Sequence, residues 1–383
     1  MKAGFKNRRF DFILLFLILT LLGIGVMMMA SSSFVRASYL KNDSAFLMLS
    51  QFRYAILGVV VMIGASFIDY KIYKRFAGLF LVVVVGLNVF TAFFGATRND
   101  ATRWFKLGPV SFQPSEFLKL AVILYLAATL SDEKLGEKSK GWFGFISVVA
   151  PFGVALLSVL LQKHASATII IALIGLTLML IAGMKWYIYG ISAVAGGLAV
   201  GALWLIKGDL FEHIGNRLNV YLATVFGNTS ANPEGLSPEA MSQIKNSLWA
   251  IGSGGLAGAG IGKSVQKYSY LPEAYNDFIF AITAEELGFL GVTVIILLYA
   301  LLIIRGFKAS YSCPDSFGSL LSAGIVMMIT VQMIFNLSVV SALIPVTGVG
   351  LPFFSFGGSA IVIVLGSMGV LLNVAKQSEY AKF

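Results

Sequence analysis

Asp277 stands where proton-transfer chemistry has a place. It follows Tyr270-Leu271-Pro272-Glu273-Ala274-Tyr275-Asn276, and an apolar run, Phe278-Ile279-Phe280-Ala281, resumes at once. A carboxylate against a low-dielectric wall has its pKa raised towards that of a working general base. The structural alternative is an N-cap on the helix that begins there. Glu285 and Glu286 follow. At about 100° per residue Glu285 lies about 80° round from Asp277 and Glu286 opposite it, so at least one must meet another helix or a polar partner. A second constellation is Gln113-Pro114-Ser115-Glu116-Phe117-Leu118-Lys119. Pro114 suits a first helical turn, and Glu116 and Lys119 at i,i+3 share one face. They form either a self-neutralising pair or a polar cluster on a cavity, with Lys119 available to an anionic ligand. Arg53 points into the same space or snorkels to the headgroups. Arg103-Trp104-Phe105-Lys106 has the make-up of an interfacial aromatic and basic belt, either an anchor or an entrance for an anionic lipid.

Other chemistries are excluded. In the glycine-rich stretch Gly252–Ser264, Ala257 stands where a Walker A loop needs glycine, and no dinucleotide fingerprint fits. That stretch reads instead as a flexible or closely packed re-entrant segment. His164, His213 and Cys313 make no zinc-type cluster, and serine-nucleophile elbows are absent. His164 reads as a hydrogen-bonded turn residue. Pro345–Ser359, rich in proline and glycine and poor in charge, fits a loop dipping into the membrane beside a cavity.

The elements that carry these residues follow from composition. Of 383 residues 58% are hydrophobic and 12% charged, with mean hydropathy +0.86. A soluble surface needs roughly twice that charge. Disorder and a disulfide scaffold are excluded too, since Cys313 is the only cysteine. The expected fold is all-α, a polytopic membrane protein forming a single domain over 1–383. Ten spans are expected near 11–31, 47–68, 76–95, 114–131, 142–161, 166–184, 187–206, 277–304, 317–340 and 356–375. The first is too long for a cleaved signal peptide. With both termini cytoplasmic, 15 of the 28 Lys and Arg fall inside: Lys2, Lys6, Arg8, Arg9, Lys71, Lys74, Arg75, Lys134, Lys138, Lys140, Lys185, Arg305, Lys308, Lys376 and Lys382. Arg36, Lys41, Arg53, Arg98, Arg103, Lys106, Lys119 and Lys163 stay near the outer face, and one long outer loop spans about 207–276. The net charge of +10 serves orientation, not nucleic acid: no basic stripe stands on a soluble domain.

Three stretches together resemble the FtsW/RodA/SpoVE (SEDS) family of bacterial shape, elongation, division and sporulation proteins. They are Trp104…Gln113-Pro114-Ser115-Glu116…Lys119, Tyr270-Leu271-Pro272-Glu273-Ala274…Asp277-Phe278-Ile279-Phe280-Ala281…Glu285-Glu286-Leu287-Gly288, and Gly348…Leu351-Pro352-Phe353…Ser355…Gly357-Gly358-Ser359. The likeness covers nearly the whole chain, and Val265-Gln266-Lys267 brings it nearer to FtsW and SpoVE than to RodA. It implies a peptidoglycan glycosyltransferase that polymerises lipid II on the outer face of the bacterial cytoplasmic membrane, at the division septum or in sporulation. It puts the family's essential acidic residue on Asp277, its Glu–Lys pair on Glu116 and Lys119, and its second-span arginine on Arg53. Arg103, Glu273, Ser355, Gly357 and Gly358 are the further substrate-binding candidates within its motifs. Two departures stand out: Gln162-Lys163-His164 replaces the family's Gln-Pro-Asp, and Tyr275-Asn276 replaces its His-Thr.

On this reading Asp277 takes the proton of the acceptor sugar 4-hydroxyl, and Arg53 and Lys119 neutralise the leaving diphosphate. No cofactor is required; a divalent cation, magnesium or manganese, bridging Asp277 and the diphosphate is the alternative. The resemblance implies a class B penicillin-binding protein as transpeptidase partner, alongside other division proteins. The rival functions are a lipid II flippase and a non-catalytic scaffold.

Overall fold

The computed structural model describes residues 10–98, 101–107, 110–132, 142–206, 209–226, 238–268 and 270–378. Lys2, Lys6, Arg8, Arg9, Lys134, Lys138, Lys140 and Lys382 of the inner cations lie outside the described residues, as do the side chains of Lys41, Arg98 and Lys106. The helices are α1 Phe12–Lys41, α2 Phe46–Phe67, α3 Tyr70–Phe94, α4 Pro114–Leu130, α5 Trp142–Leu160, α6 Ala165–Ile181, α7 Trp186–Ile206, α8 Asp209–Phe226, α9 Pro238–Ser253, α10 Ile279–Tyr311, α11 Ser316–Val340 and α12 Gly358–Gln377. Each expected apolar run coincides with a helix. Among the described residues six, α1, α2, α3, α10, α11 and α12, are long and apolar enough to cross a membrane, and Ile146–Leu160 and α6 are shorter apolar helices. The molecule is a helical membrane protein, as composition requires.

Local chemistry sets several starts. Asp11 caps α1 by accepting from Leu14 N at 2.9 Å, Asp69 caps α3 from Lys71 N at 3.0 Å, and Asp315 caps α11 from Gly318 N at 2.9 Å. Pro114 opens α4 with Glu116 in its first turn, where a carboxylate suits the helix dipole. Three boundaries differ from the hydropathy reading. Helix α1 continues to Lys41 because Ser32 and Ser33, buried, pack inside the protein rather than ending the span. Helix α3 starts at its Asp69 cap, ahead of the apolar run. The outer segment 207–276 is not a loop throughout: it holds α8 and α9. Residues 96–112 also depart from a purely helical chain. They form a small antiparallel sheet of β1 Ala96–Arg98, β2 Ala101–Leu107 and β3 Val110–Phe112, with Ala96 opposite Trp104 and Phe105 opposite Phe112.

Polar contacts tie equivalent helix ends together. At one end Tyr70 N donates to Asn373 Oδ1 at 3.0 Å, the Tyr70 hydroxyl donates to Asp315, and Arg305 Nε pairs with Asp11 at 2.9 Å. At the other, Gln113 N donates to Ser359 Oγ at 3.3 Å and Gln51 Nε2 to Ser355 O at 3.2 Å. The two sets separate the ends that the cation bias assigns to inside and outside.

Helix α10 is broken at Gly288, whose φ of 64° lies in the left-handed region. The backbone groups released there are taken up by the glycine-rich segment. Phe289 N donates to Gly255 O at 2.9 Å, Leu290 N to Leu256 O at 3.1 Å, and Ala259 N to Glu285 O at 2.9 Å. The segment is closely packed, because a Cβ at Gly254, Gly258 or Gly288 would strike the facing backbone. Glu285 accepts from Val265 N at 2.8 Å and from the Ser264 hydroxyl. Glu286 accepts from Lys267 Nζ at 3.0 Å and from Ser31 Oγ at 2.7 Å. Both glutamates therefore have polar partners inside the protein.

Candidate active site

The turn carrying Asp277 and the loop before α12 are laced together. Ser355 Oγ donates to Asn276 O at 2.7 Å while accepting from Leu351 N at 2.6 Å. Asn336 Nδ2 of α11 bridges Asp277 O at 2.7 Å and Val349 O at 2.8 Å, and Phe356 N donates to Tyr275 O at 3.1 Å. Gln51 of α2 splints the same loop by accepting from Gly357 N at 3.3 Å. This framework closes one side of a cavity of about 120 Å³. Its polar wall holds Glu116, Lys119, His164 and Asp277, and its apolar depth runs along Ala167 and Ile170 of α6 and Ile361 and Val364 of α12.

Asp277 does not cap α10. Phe278 occupies the cap position with no side-chain hydrogen bond, so the structural alternative for this aspartate falls away. Its carboxylate is left towards the cavity, facing Gly348. A Cβ there would sit 3.4 Å from Asp277 Oδ2. Burial, reinforced by the Glu273 charge, pushes the Asp277 carboxyl up to about 7, while the Arg217 and Arg103 guanidiniums pull the other way. Burial and the neighbouring Arg217 lower Arg103 to about 10, and burial lowers Arg217.

Glu116 and Lys119 meet both alternatives at once. They pair at 2.7 Å, and both line the cavity, with the lysine buried. Arg103 reaches across to Lys163 O at 2.7 Å and leaves its buried Nε without a partner among the described residues. Ser355 and Gly357 line the cavity, but the Ser355 hydroxyl is committed to the lacing. Gly358 does not line it and packs where a Cβ would meet the Tyr54 ring at 2.7 Å, which makes it a packing position. Arg53 is not among the lining residues either. It is exposed on α2, on the side of the alternative in which it snorkels. Glu273, with φ of 52°, belongs to a tight turn and lines a second cavity of about 210 Å³ with Ser32, Arg36 and Lys267.

Sequence reasoning missed Arg217 and gave His164 no part in the site. Arg217 Nη1 donates to Val346 O at 3.2 Å, which brings α8 onto the loop. Its signal was available, an arginine in an amphipathic stretch of the outer segment. Nothing local tells which loop that stretch covers. His164 is buried beside Gln113 and Ser115 at 3.3 and 3.4 Å.

Comparison with known proteins agrees with this architecture. A sequence model for the FtsW, RodA and SpoVE proteins, described as "Cell cycle protein", matches residues 12–380. Stage V sporulation protein E of Bacillus subtilis (strain 168) is 37% identical over 377 residues, covering 97% of this chain and 98% of its own length. The probable peptidoglycan glycosyltransferase FtsW of the same organism is 38% identical over 387 residues, covering 98% and 93%. A solved structure described as "Structural coordination of polymerization and crosslinking by a peptidoglycan synthase complex" superposes with TM-score 0.72 at 25% identity, over 97% of this chain and 98% of that one. The crystal structure of the Thermus thermophilus rod shape determining protein RodA shares the fold, with TM-score 0.66 at 24% identity over 97% and 98%.

Proposed function

This chain belongs to the FtsW/RodA/SpoVE family, and we propose that it is a membrane-embedded peptidoglycan glycosyltransferase that polymerises lipid II during cell division or sporulation, with Asp277 as general base. The glycosyltransferase activity is supported by relatives named for it that match along nearly their whole length. The observation that carries the residue assignment is the Asp277 carboxylate, held at a cavity and raised to about 7. At that value it is partly ionised at neutral pH and basic enough to accept a hydroxyl proton in the transition state. The acceptor 4-hydroxyl oxygen attacks the anomeric carbon as its proton passes to Asp277, and the bond to the lipid diphosphate breaks. Lys119, Arg103 and Arg217 supply positive charge around the space the diphosphate would occupy. Arg53, exposed on α2, suits a role at the headgroup level.

A protein-built cation site does not fit these residues. No three His, Cys, Asp or Glu side chains converge among the described residues, and the groups electrostatically coupled to Asp277 include two guanidiniums. A magnesium or manganese ion would be held by Asp277 only together with the substrate diphosphate and water, which is the bridging alternative, and glycan-strand formation that persists in chelator counts against it.

The transpeptidase partner, a class B penicillin-binding protein, is supported by the structural likeness to a complex that couples polymerization to crosslinking. Purified protein in vesicles with lipid II tests the whole assignment. Asp277→Asn is expected to lower glycan-strand formation by about 10²–10⁴-fold, the usual worth of general-base assistance. Undiminished polymerisation by a folded Asp277→Asn protein overturns the role of Asp277, and a parent protein that makes no strands overturns the activity.

A further inference from the structure

General-base attack at Asp277 gives no part to His164, a buried imidazole in the wall of the same cavity. Its surroundings specify its tautomer. Gln113 Nε2 lies 3.3 Å from Nδ1, and Ser115 Oγ lies 3.4 Å from the same nitrogen. An amide nitrogen can only donate, so Nδ1 accepts and the ring proton sits on Nε2. The backbone is held as well, since Thr168 N and Oγ1 both donate to His164 O at 3.1 Å. Nε2 makes no hydrogen bond among the described residues, although the ring lines the cavity. An N–H donor that opens on a cavity, with no acceptor among the described residues, is a binding element.

The charges around it indicate the ligand. Burial and the cations Arg103, Lys119 and Arg217 hold the imidazole neutral, well below its ordinary pKa. His164 therefore donates a hydrogen bond without adding a charge or titrating. A neutral donor among three cations complements a compact, multiply charged oxyanion. Glu116 neutralises one of those cations until such a group arrives.

We propose that His164 binds the diphosphate of the lipid-linked substrate, donating from Nε2–H to one of its oxygens beside Lys119. This rests on the glycosyltransferase reading and deepens it by assigning a binding residue at a position where the chain departs from its family's pattern. The diphosphate is already charged in the ground state, so loss of the donor weakens binding more than it slows the chemical step.

Full-length protein in vesicles with lipid II is the test. His164→Phe keeps a ring but removes the donor, and is expected to raise KM about 10-fold with kcat within about threefold. His164→Gln restores an N–H near the Nε2 position and is expected to recover most of that loss. A folded His164→Phe protein with KM within about twofold of the parent overturns the proposal, as does a loss of kcat alone that His164→Gln does not repair. Should His164→Phe fail to fold, the parent protein answers. Only His164 and His213 contribute imidazole signals, so in ¹⁵N-histidine-labelled protein undecaprenyl diphosphate is expected to shift one Nε2–H resonance and undecaprenol neither. No shift with the diphosphate overturns the assignment. The parent and Asp277→Asn proteins separate the two readings. If the parent protein makes no glycan strands, the glycosyltransferase reading fails; if the parent polymerises, Asp277→Asn is inactive and His164→Phe keeps its KM, only the histidine assignment fails.

Discussion

At Asp277 two effects oppose each other. Burial and the Glu273 carboxylate favour the protonated acid, and the Arg217 and Arg103 guanidiniums favour the base; the first pair wins and leaves the group near 7. A base must be deprotonated to act, so polymerisation rates are expected to fall below about pH 7 and level off above it, measurable from initial rates across pH 5–9. Arg217 lowers this pKa. Arg217→Leu is therefore expected to move that limb up by about half to one pH unit, whereas a purely structural role for the arginine leaves the limb in place. Linkage has the opposite sign for folding. With its folded pKa raised, the Asp277 carboxyl contributes stability at low pH that is lost as pH rises from the unfolded carboxylate range through about 7. Asp277→Asn is thus expected to melt higher than the parent at pH 8, by on the order of 1–3 kcal/mol, and at the same temperature at pH 3.5. Asp277, Glu116 and Lys119, which line one cavity, were picked out by residue type near helix starts. Arg217 and His164 were not, because each meets partners far away in the chain.

Among the elements, the broken helix α10 is the one whose form depends most on another segment. Glu286 is buried and paired with Lys267, so removing the lysine leaves a carboxylate in the interior without its cation. Lys267→Met is expected to destabilise the protein by about 3–5 kcal/mol, and Lys267→Met with Glu286→Gln to regain much of that. Thermal melts in detergent compare the three proteins. Gly288→Ala is expected to be at least as damaging, because the residue needs a positive φ and its Cβ would strike Gly258 N. The glycine pattern of 252–264 reads as a flexible or closely packed re-entrant segment, and the structure has the packed form. Its pairing with the break in α10 depends on backbone groups that sequence does not show. The same holds for the sheet at 96–112: its strands are too short for alternation to be counted in a chain so apolar.

For the molecule as a whole, the cation bias predicts which helix ends face the cytoplasm. Two exposed positions test it. Tyr268 lies in the segment assigned to the outer face, and Lys185 in the turn between α6 and α7 assigned to the inner one. In a Cys313→Ser background, Tyr268→Cys is expected to react with a membrane-impermeant maleimide in spheroplasts, and Lys185→Cys only after the membrane is opened. The reverse pattern would place the Asp277 cavity on the cytoplasmic side.

Solvent decides what the sequence by itself determines here. Hydrocarbon demands long apolar helices and tolerates few charges, so the fold class and the approximate positions of the apolar helices are written in composition and spacing. What only the tertiary structure decided is which of the outer polar groups share one space. Asp277, Lys119, Glu116 and His164 come from three separate parts of the chain, and they meet at a cavity where Asn336 and Ser355 lace the Asp277 turn to the loop before α12 and Gln51 ties that loop to α2. Those bonds join backbone to side chains up to 304 residues apart, and no periodicity within a helix encodes a contact at that range. The same convergence raises one acid and keeps one imidazole neutral, because burial and the sum of neighbouring charges exist only once the chain is folded.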